Sequence, residues 1–236
     1  MNLAGKIVLV GVATVILTAC VPVQVRMPDG FAANASSHEV SGHSPRRFNQ
    51  PVRFGPYSAL ELREGDTFSW GFPVGTIDVG RAARGYAFTL IARDQPPVEV
   101  QCRNRNWTAA HGAASQRLEV DLTVLAGPMM VCGLRFDGAQ QALALEMSRK
   151  GTRLQGRLRS PWGEYDVRSL HGVDGSSWPA AEATGFEVLH GGTPLMVVDM
   201  LNAGRVHMDH HLDDEERVYL AAAAAALLLL DAELDL

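Results

Sequence analysis

Asp213-Asp214-Glu215-Glu216-Arg217-Val218-Tyr219-Leu220 runs directly into six alanines, Ala221 to Ala226, and then four leucines, Leu227 to Leu230. Asp213 is placed to cap a helix, and Glu216, three residues later, to reach back as in a capping box. Four carboxylates also suit the positive end of a helix dipole. The stretch therefore predicts one helix over 213–230. Successive helical residues lie about 100° apart, so four consecutive leucines point to every side. No polar face remains between Leu220 and Leu230, and a helix apolar all round must be enclosed by protein or lipid. From Val218 to Leu230 the apolar run spans only about 20 Å, against roughly 30 Å of bilayer hydrocarbon, and Asp231, Glu233 and Asp235 would have to cross. Two enclosures remain open. A slim, alanine-rich rod fits inside a closed barrel, or it packs on an open sheet under a loop or a partner subunit.

Upstream of this helix, from Pro51 onward, the period is two. Val98, Val100 and Cys102 alternate with Glu99 and Gln101. Met130, Cys132, Leu134 and Phe136 repeat the pattern, as do Leu118 to Val124, Leu143 to Met147, Leu154 to Leu158, and Tyr165 to Val167. Tyr86, Phe88 and Leu90 alternate with Ala87, Thr89 and Ile91, which reads as a strand buried on both faces. Turn signals at Asp137-Gly138, Lys150-Gly151, Pro161-Trp162-Gly163, Asp174-Gly175 and Gly191-Gly192 separate these strands. Strands joined by tight turns pair antiparallel, so the fold class is mainly β, a meander closing into a barrel or a sandwich, with one C-terminal hydrophobic helix. Residues 51–236 form a single domain.

The amino terminus is of another kind. Lys6 precedes the apolar run Ile7 to Ala19, and Leu17-Thr18-Ala19-Cys20 closes it with small residues before a cysteine. The run is too short to span comfortably and reads as a signal peptide, residues 1–19. Leu-Thr-Ala-Cys resembles the lipobox of bacterial lipoproteins, and the resemblance implies that Cys20 becomes the lipidated first residue of the mature chain. Val21, which is not Asp, implies outer-membrane retention facing the periplasm. Removing Lys6 leaves 20 of the 21 basic groups, with Lys150 the one lysine, so acyl chains rather than a polybasic patch must hold the protein. Residues 20–50 mix Pro, Asn, Ser, Gly and His without a period and read as a flexible tether, reaching roughly 30 Å.

Composition narrows the function classes. The 236 residues are 47% hydrophobic and 20% charged with a net charge of −5, which excludes a disordered chain and argues against nucleic acid as a partner. No nucleophile elbow, P-loop, dinucleotide fingerprint, H-E-x-x-H or C-x-x-C is present, and no cofactor is implied. Ser176-Ser177-Trp178-Pro179 reads as a loop. Once Cys20 carries lipid, Cys102 and Cys132 remain in an oxidising compartment, both in phase with the apolar positions of their strands, which predicts a disulfide. His207, Asp209 and His211 alternate and would share one face of an extended segment, a candidate site for zinc or another divalent metal. The other histidines, including His38, His43, His111, His171 and His190, stand alone in sequence.

A meander of about a dozen strands ending in a hydrophobic helix, entered through Val197-Val198-Asp199-Met200-Leu201-Asn202-Ala203-Gly204-Arg205-Val206 and Asp213-Asp214-Glu215-Glu216, resembles the tubby-like barrels, including their LURP-one and scramblase relatives. The resemblance implies a closed antiparallel barrel around or against its C-terminal helix. Tubby's phosphoinositide binding does not carry over, because the lysine-rich motif has no counterpart here. The expected function is that of a lipid-anchored envelope lipoprotein acting as a binding or structural module. A metal-dependent hydrolase using His207, Asp209 and His211, or a subunit of an envelope assembly, is the alternative.

Overall fold

The computed structural model describes residues 22–42, 50–65, 68–74, 77–111, 118–121, 127–136 and 138–230, so Leu17 to Cys20 and His43 lie outside the described residues. The strands are β1 (Ala35–Ser41), β2 (Val52–Phe54), β3 (Tyr57–Glu64), β4 (Phe68–Val74), β5 (Ile77–Ile91), β6 (Val98–His111) and β7 (Leu118–Asp121). They continue with β8 (Met130–Phe136), β9 (Ala139–Lys150), β10 (Arg153–Ser160), β11 (Gly163–Leu170), β12 (Gly185–His190), β13 (Thr193–Asp199) and β14 (Arg205–Asp209), before helix α1 (Asp214–Leu228). All pairings are antiparallel, and twelve strands close a ring in the order β5-β3-β2-β1-β14-β13-β12-β11-β10-β9-β8-β6, which returns to β5. The remaining two, β4 and β7, extend the distal part of the long β5–β6 hairpin: Trp70 pairs with Arg81 and Ala109 with Val120.

Alternation decides which side chains fill the ring. Met130, Cys132, Leu134 and Phe136 face inward and are buried, with Arg135 exposed between the last two. Val98, Val100 and Cys102 do the same opposite them. In β5, Tyr86, Phe88 and Leu90 are buried, but Ile91 is 41% exposed, so that strand buries one face and not two. The other face carries the small Ala87, Thr89 and an isolated apolar side chain, which a barrel exterior tolerates. Gly191 and Gly192 both have positive φ, +58° and +88°, the backbone a two-residue hairpin needs between β12 and β13.

The expected tether is corrected in its larger part. Ala35–Ser41 is a barrel strand, paired on one side with β14 (Ala35 with Asp209) and on the other with β2 (Val40 with Phe54). Of this strand only Val40 is fully buried, and its other side chains are mostly polar, so one apolar residue gives no visible period. Its ladder partner lies about 170 residues away in the chain, where local patterning carries no information. The lead-in is also bound: Val25 and Phe31 pack with Val197 outside the ring, and the Val25 N–H bonds the Asp199 carboxylate at 3.1 Å.

Helix α1 is enclosed by the barrel. Every residue from Val218 to Leu230 is buried, and Leu220 to Leu227 have no exposed surface. The helix touches β5 and β6 on one side of the ring and β13 on the opposite side. Tyr219 meets the rings of Phe136 and Trp162 at 6.1 and 5.9 Å and donates to the Arg159 carbonyl at 2.7 Å. The capping box does not form. Asp213 makes no side-chain cap bond, and Glu216 instead accepts the Tyr165 hydroxyl from β11. The Glu216 carboxylate takes the partner that tertiary packing brings to it, and the helix start yields to it.

Candidate functional site

Cys102 and Cys132 stand directly opposite each other in the β6–β8 register and are joined by a disulfide, with Cα atoms 4.1 Å apart. Both cysteines are buried against the core, so the bond staples the wall of the barrel rather than offering a reactive thiol.

The His207, Asp209 and His211 set does not assemble. His207 pairs in register with Val197 and Ser37, on the sheet face turned away from the helix, and is only 9% exposed. Burial, with the charges of Arg205 and His38, lowers its pKa to about 4. Asp209 instead folds over the next turn, accepting the His211 N–H at 2.7 Å and meeting His211 Nδ1 at 2.8 Å. Burial pushes the Asp209 carboxyl up, and the His211 bonds and charge more than offset it, leaving its pKa below the usual range. His211 itself lies in solvent. Among the described residues no group of three or more His, Cys, Asp or Glu is placed to hold a metal ion. The alternation that suggested a shared face ends at Asp209, where the chain leaves the strand for a turn.

A more organised locus lies in the loop between β11 and β12, residues 171–184. Its base is clasped: the Ala180 N–H donates to the His171 carbonyl at 2.7 Å, and His171 Nδ1 meets the Ala180 carbonyl at 3.2 Å. Facing a carbonyl, Nδ1 must carry a proton. His171 Nε2 lies 2.9 Å from Ser169 Oγ, which also accepts the Leu154 N–H at 2.9 Å and so ties the clasp to β10. Thr184 adds bonds to the Leu170 and Gly172 carbonyls at 3.1 and 3.2 Å.

The lead-in holds the other side of this loop. The Arg26 N–H donates to the Gly172 carbonyl at 2.9 Å, the Asp174 N–H to the Gln24 carbonyl at 2.8 Å, and Val25 bridges Val173. The Arg26 guanidinium reaches the Ser176 carbonyl. Within the loop, Ser176 Oγ accepts the Trp178 N–H at 3.2 Å and donates to the Trp178 carbonyl at 3.1 Å. This fixed turn presents a tryptophan that is 83% exposed.

Between the loop and the outer face of β10–β12 runs a groove of about 600 Å³, lined by Arg153, Arg168, Ser169, His171, Ala180 and Glu187 among others. Burial pushes the Glu187 carboxyl up, and Arg168 only partly counters it. Ser169 and His171 spend their protons on each other and on the Ala180 carbonyl, and Arg168 also meets Asp166 at 3.4 Å, so the guanidinium groups of Arg153 and Arg168 are what the groove offers to an anionic group. Sequence reading identified the loop from Ser176-Ser177-Trp178-Pro179. It missed the groove and the clasp, because Ser169 and His171 acquire meaning only through Leu154 and Ala180.

No helix among the described residues is long and apolar enough to cross a membrane. Comparison with protein-family models, with curated proteins and with solved structures gave no match to this chain.

Proposed function

We propose that this chain is a lipid-anchored envelope protein, held in the outer membrane through acylated Cys20 and facing the periplasm, whose tubby-like barrel serves as a binding module. The anchor half of the reading rests on Leu17-Thr18-Ala19-Cys20. The barrel half rests on twelve strands closed around one C-terminal hydrophobic helix. The observation that carries the binding role is that the helix occupies the interior: with Leu220 to Leu227 wholly buried, a ligand meets the outside of the barrel. There the groove with Arg153, Arg168 and His171 offers convergent polar groups. A partner subunit is not needed to cover the helix.

Two measurements test the reading. Metabolic labelling with a fatty-acid probe should mark the wild-type chain and not Cys20→Ala, and equal labelling of both removes the anchor. Calorimetric titration of the detergent-solubilised full-length chain with inorganic phosphate should give a heat that Arg153→Gln with Arg168→Gln abolishes. The same heat in the double variant removes the groove.

A further inference from the structure

We infer that the barrel does not stand off the membrane on a tether but lies directly against it, on the face formed by the lead-in and the Trp178 loop. Trp178 and Val23 then sit in the interfacial layer of the lipid. The inference rests on the Cys20 anchor and adds an orientation to it.

Chain length sets the first constraint. Cys20 precedes Pro22 by two residues, so their Cα atoms are within about 8 Å of each other. From Val23 onward the chain is bound to the barrel: the Asn202 side chain donates to the Val23 carbonyl at 2.6 Å, and Asp199 holds Val25. An acyl group on Cys20 therefore brings this face to the lipid surface, without the roughly 30 Å of slack that a free 30-residue coil would give.

The chemistry of the face fits the place. Three large hydrophobic side chains stand in solvent, Trp178 at 83%, Val23 at 52% and Ile91 at 41% exposure. Two of the three lie on segments hydrogen-bonded to each other, Gln24 to Arg26 and Gly172 to Ser176, while Ile91 is on β5, across the ring from β12. Tryptophan favours the membrane–water boundary, where its ring is in apolar surroundings and its N–H stays wet. The Ser176 turn and the His171–Ala180 clasp hold the loop backbone at Trp178 in place, so little backbone freedom is lost on docking. The charges nearby are of both signs: Arg26 is bonded to the Val173 and Ser176 carbonyls, Arg205 beside Val23 is paired with Glu39 at 2.8 Å, Asp174 and Glu182 are exposed, and the groove carries Arg153, Arg168 and Glu187, so no cluster of unpaired cations drives attraction to anionic lipid. Pro179 and Ala180 of the same loop wall the groove, which docking brings to the lipid surface.

The test uses the full-length acylated protein in vesicles of phosphatidylethanolamine and phosphatidylglycerol, with or without bromine on the acyl chains. Subtracting the emission of Trp178→Phe from that of the wild type isolates Trp178. The expected difference spectrum is blue-shifted and quenched by about half or more in brominated vesicles, as for a ring in the interfacial layer. It survives about 1 M salt, where the Debye length falls to about 3 Å. Tryptophan placed by Ile91→Trp in the Trp178→Phe background stays unquenched. A difference spectrum typical of water and blind to bromine, in protein whose Cys20 carries lipid, overturns the docking alone. Absence of lipid on Cys20 overturns the anchor and the docking with it.

Discussion

The hydroxyl of Tyr86, on β5, donates a 2.8 Å hydrogen bond to the carbonyl of Ala226, 140 residues later in the last turns of α1. At that end of the helix the Leu229 N–H bonds Ala225 and the Leu230 N–H bonds Leu227, which leaves the Ala226 carbonyl for the barrel wall to satisfy. Tyr86 is buried, and burial pushes its phenol far up, so it stays a donor at any ordinary pH. Tyr86→Phe removes the donor and strands a carbonyl out of reach of water. The expected loss is about 1–3 kcal/mol, read as a lower urea midpoint with unchanged slope.

The enclosed helix makes a sharper demand. Ala223, Ala224, Ala225 and Ala226 have no exposed surface, and together they sample every side of α1. Lysine at any one of them buries a charge with no partner. Each variant is expected to lose more than about 4 kcal/mol or to fail to fold. A single variant with a urea midpoint near wild type would place one side of the helix in solvent.

The Cys102–Cys132 bond closes a loop with a sequence separation of 30. In the chain-entropy view it stabilises the barrel by about 3–4 kcal/mol. Alkylation without reductant should label neither residue, as mass spectrometry can establish. The double variant with alanine at both positions should unfold at correspondingly lower urea.

His207 gives the protein an acid sensitivity. Its folded pKa is about 4, whereas the unfolded side chain titrates near 6.5. Between those values the unfolded chain binds the proton and the folded one does not, so stability falls as pH drops from about 6.5 and stops falling from this source below about 4. His38, also lowered by burial and by Arg217, acts in the same direction, while the raised carboxyls of Asp199 and Glu187 oppose it. Comparing wild type with His207→Gln cancels these shared contributions. The difference in unfolding free energy should change across pH 6.5 to 4 and be flat above about 7.5.

What the sequence alone determined about this protein are the properties that neighbours in the chain decide. Alternation at Val98 to Cys102 and Met130 to Phe136 specifies strands with one buried face, because side chains in a strand alternate whatever the strand pairs with. A run with no polar face from Leu220 to Leu230 specifies enclosure for the same local reason. The phase of Cys102 and Cys132 follows from it. Tertiary structure alone decided the rest. Whether the helix lies in a barrel or on a sheet depends on ring closure through β1–β14, a pairing between the two ends of the chain that no local period encodes. Ala35–Ser41 becomes a strand through backbone bonds to a segment about 170 residues away, so a polar sequence that reads as tether is ordered by its partners. Glu216 serves Tyr165 rather than the helix start, and His207 is buried apart from His211, because a side chain takes the partner that packing brings. The Trp178 loop is tied to Arg26 and Gln24 from the distant lead-in and to Ser169 and His171 of the barrel wall. Hydrophobic pattern is written along the chain, but hydrogen bonds between distant residues exist only once the chain has closed.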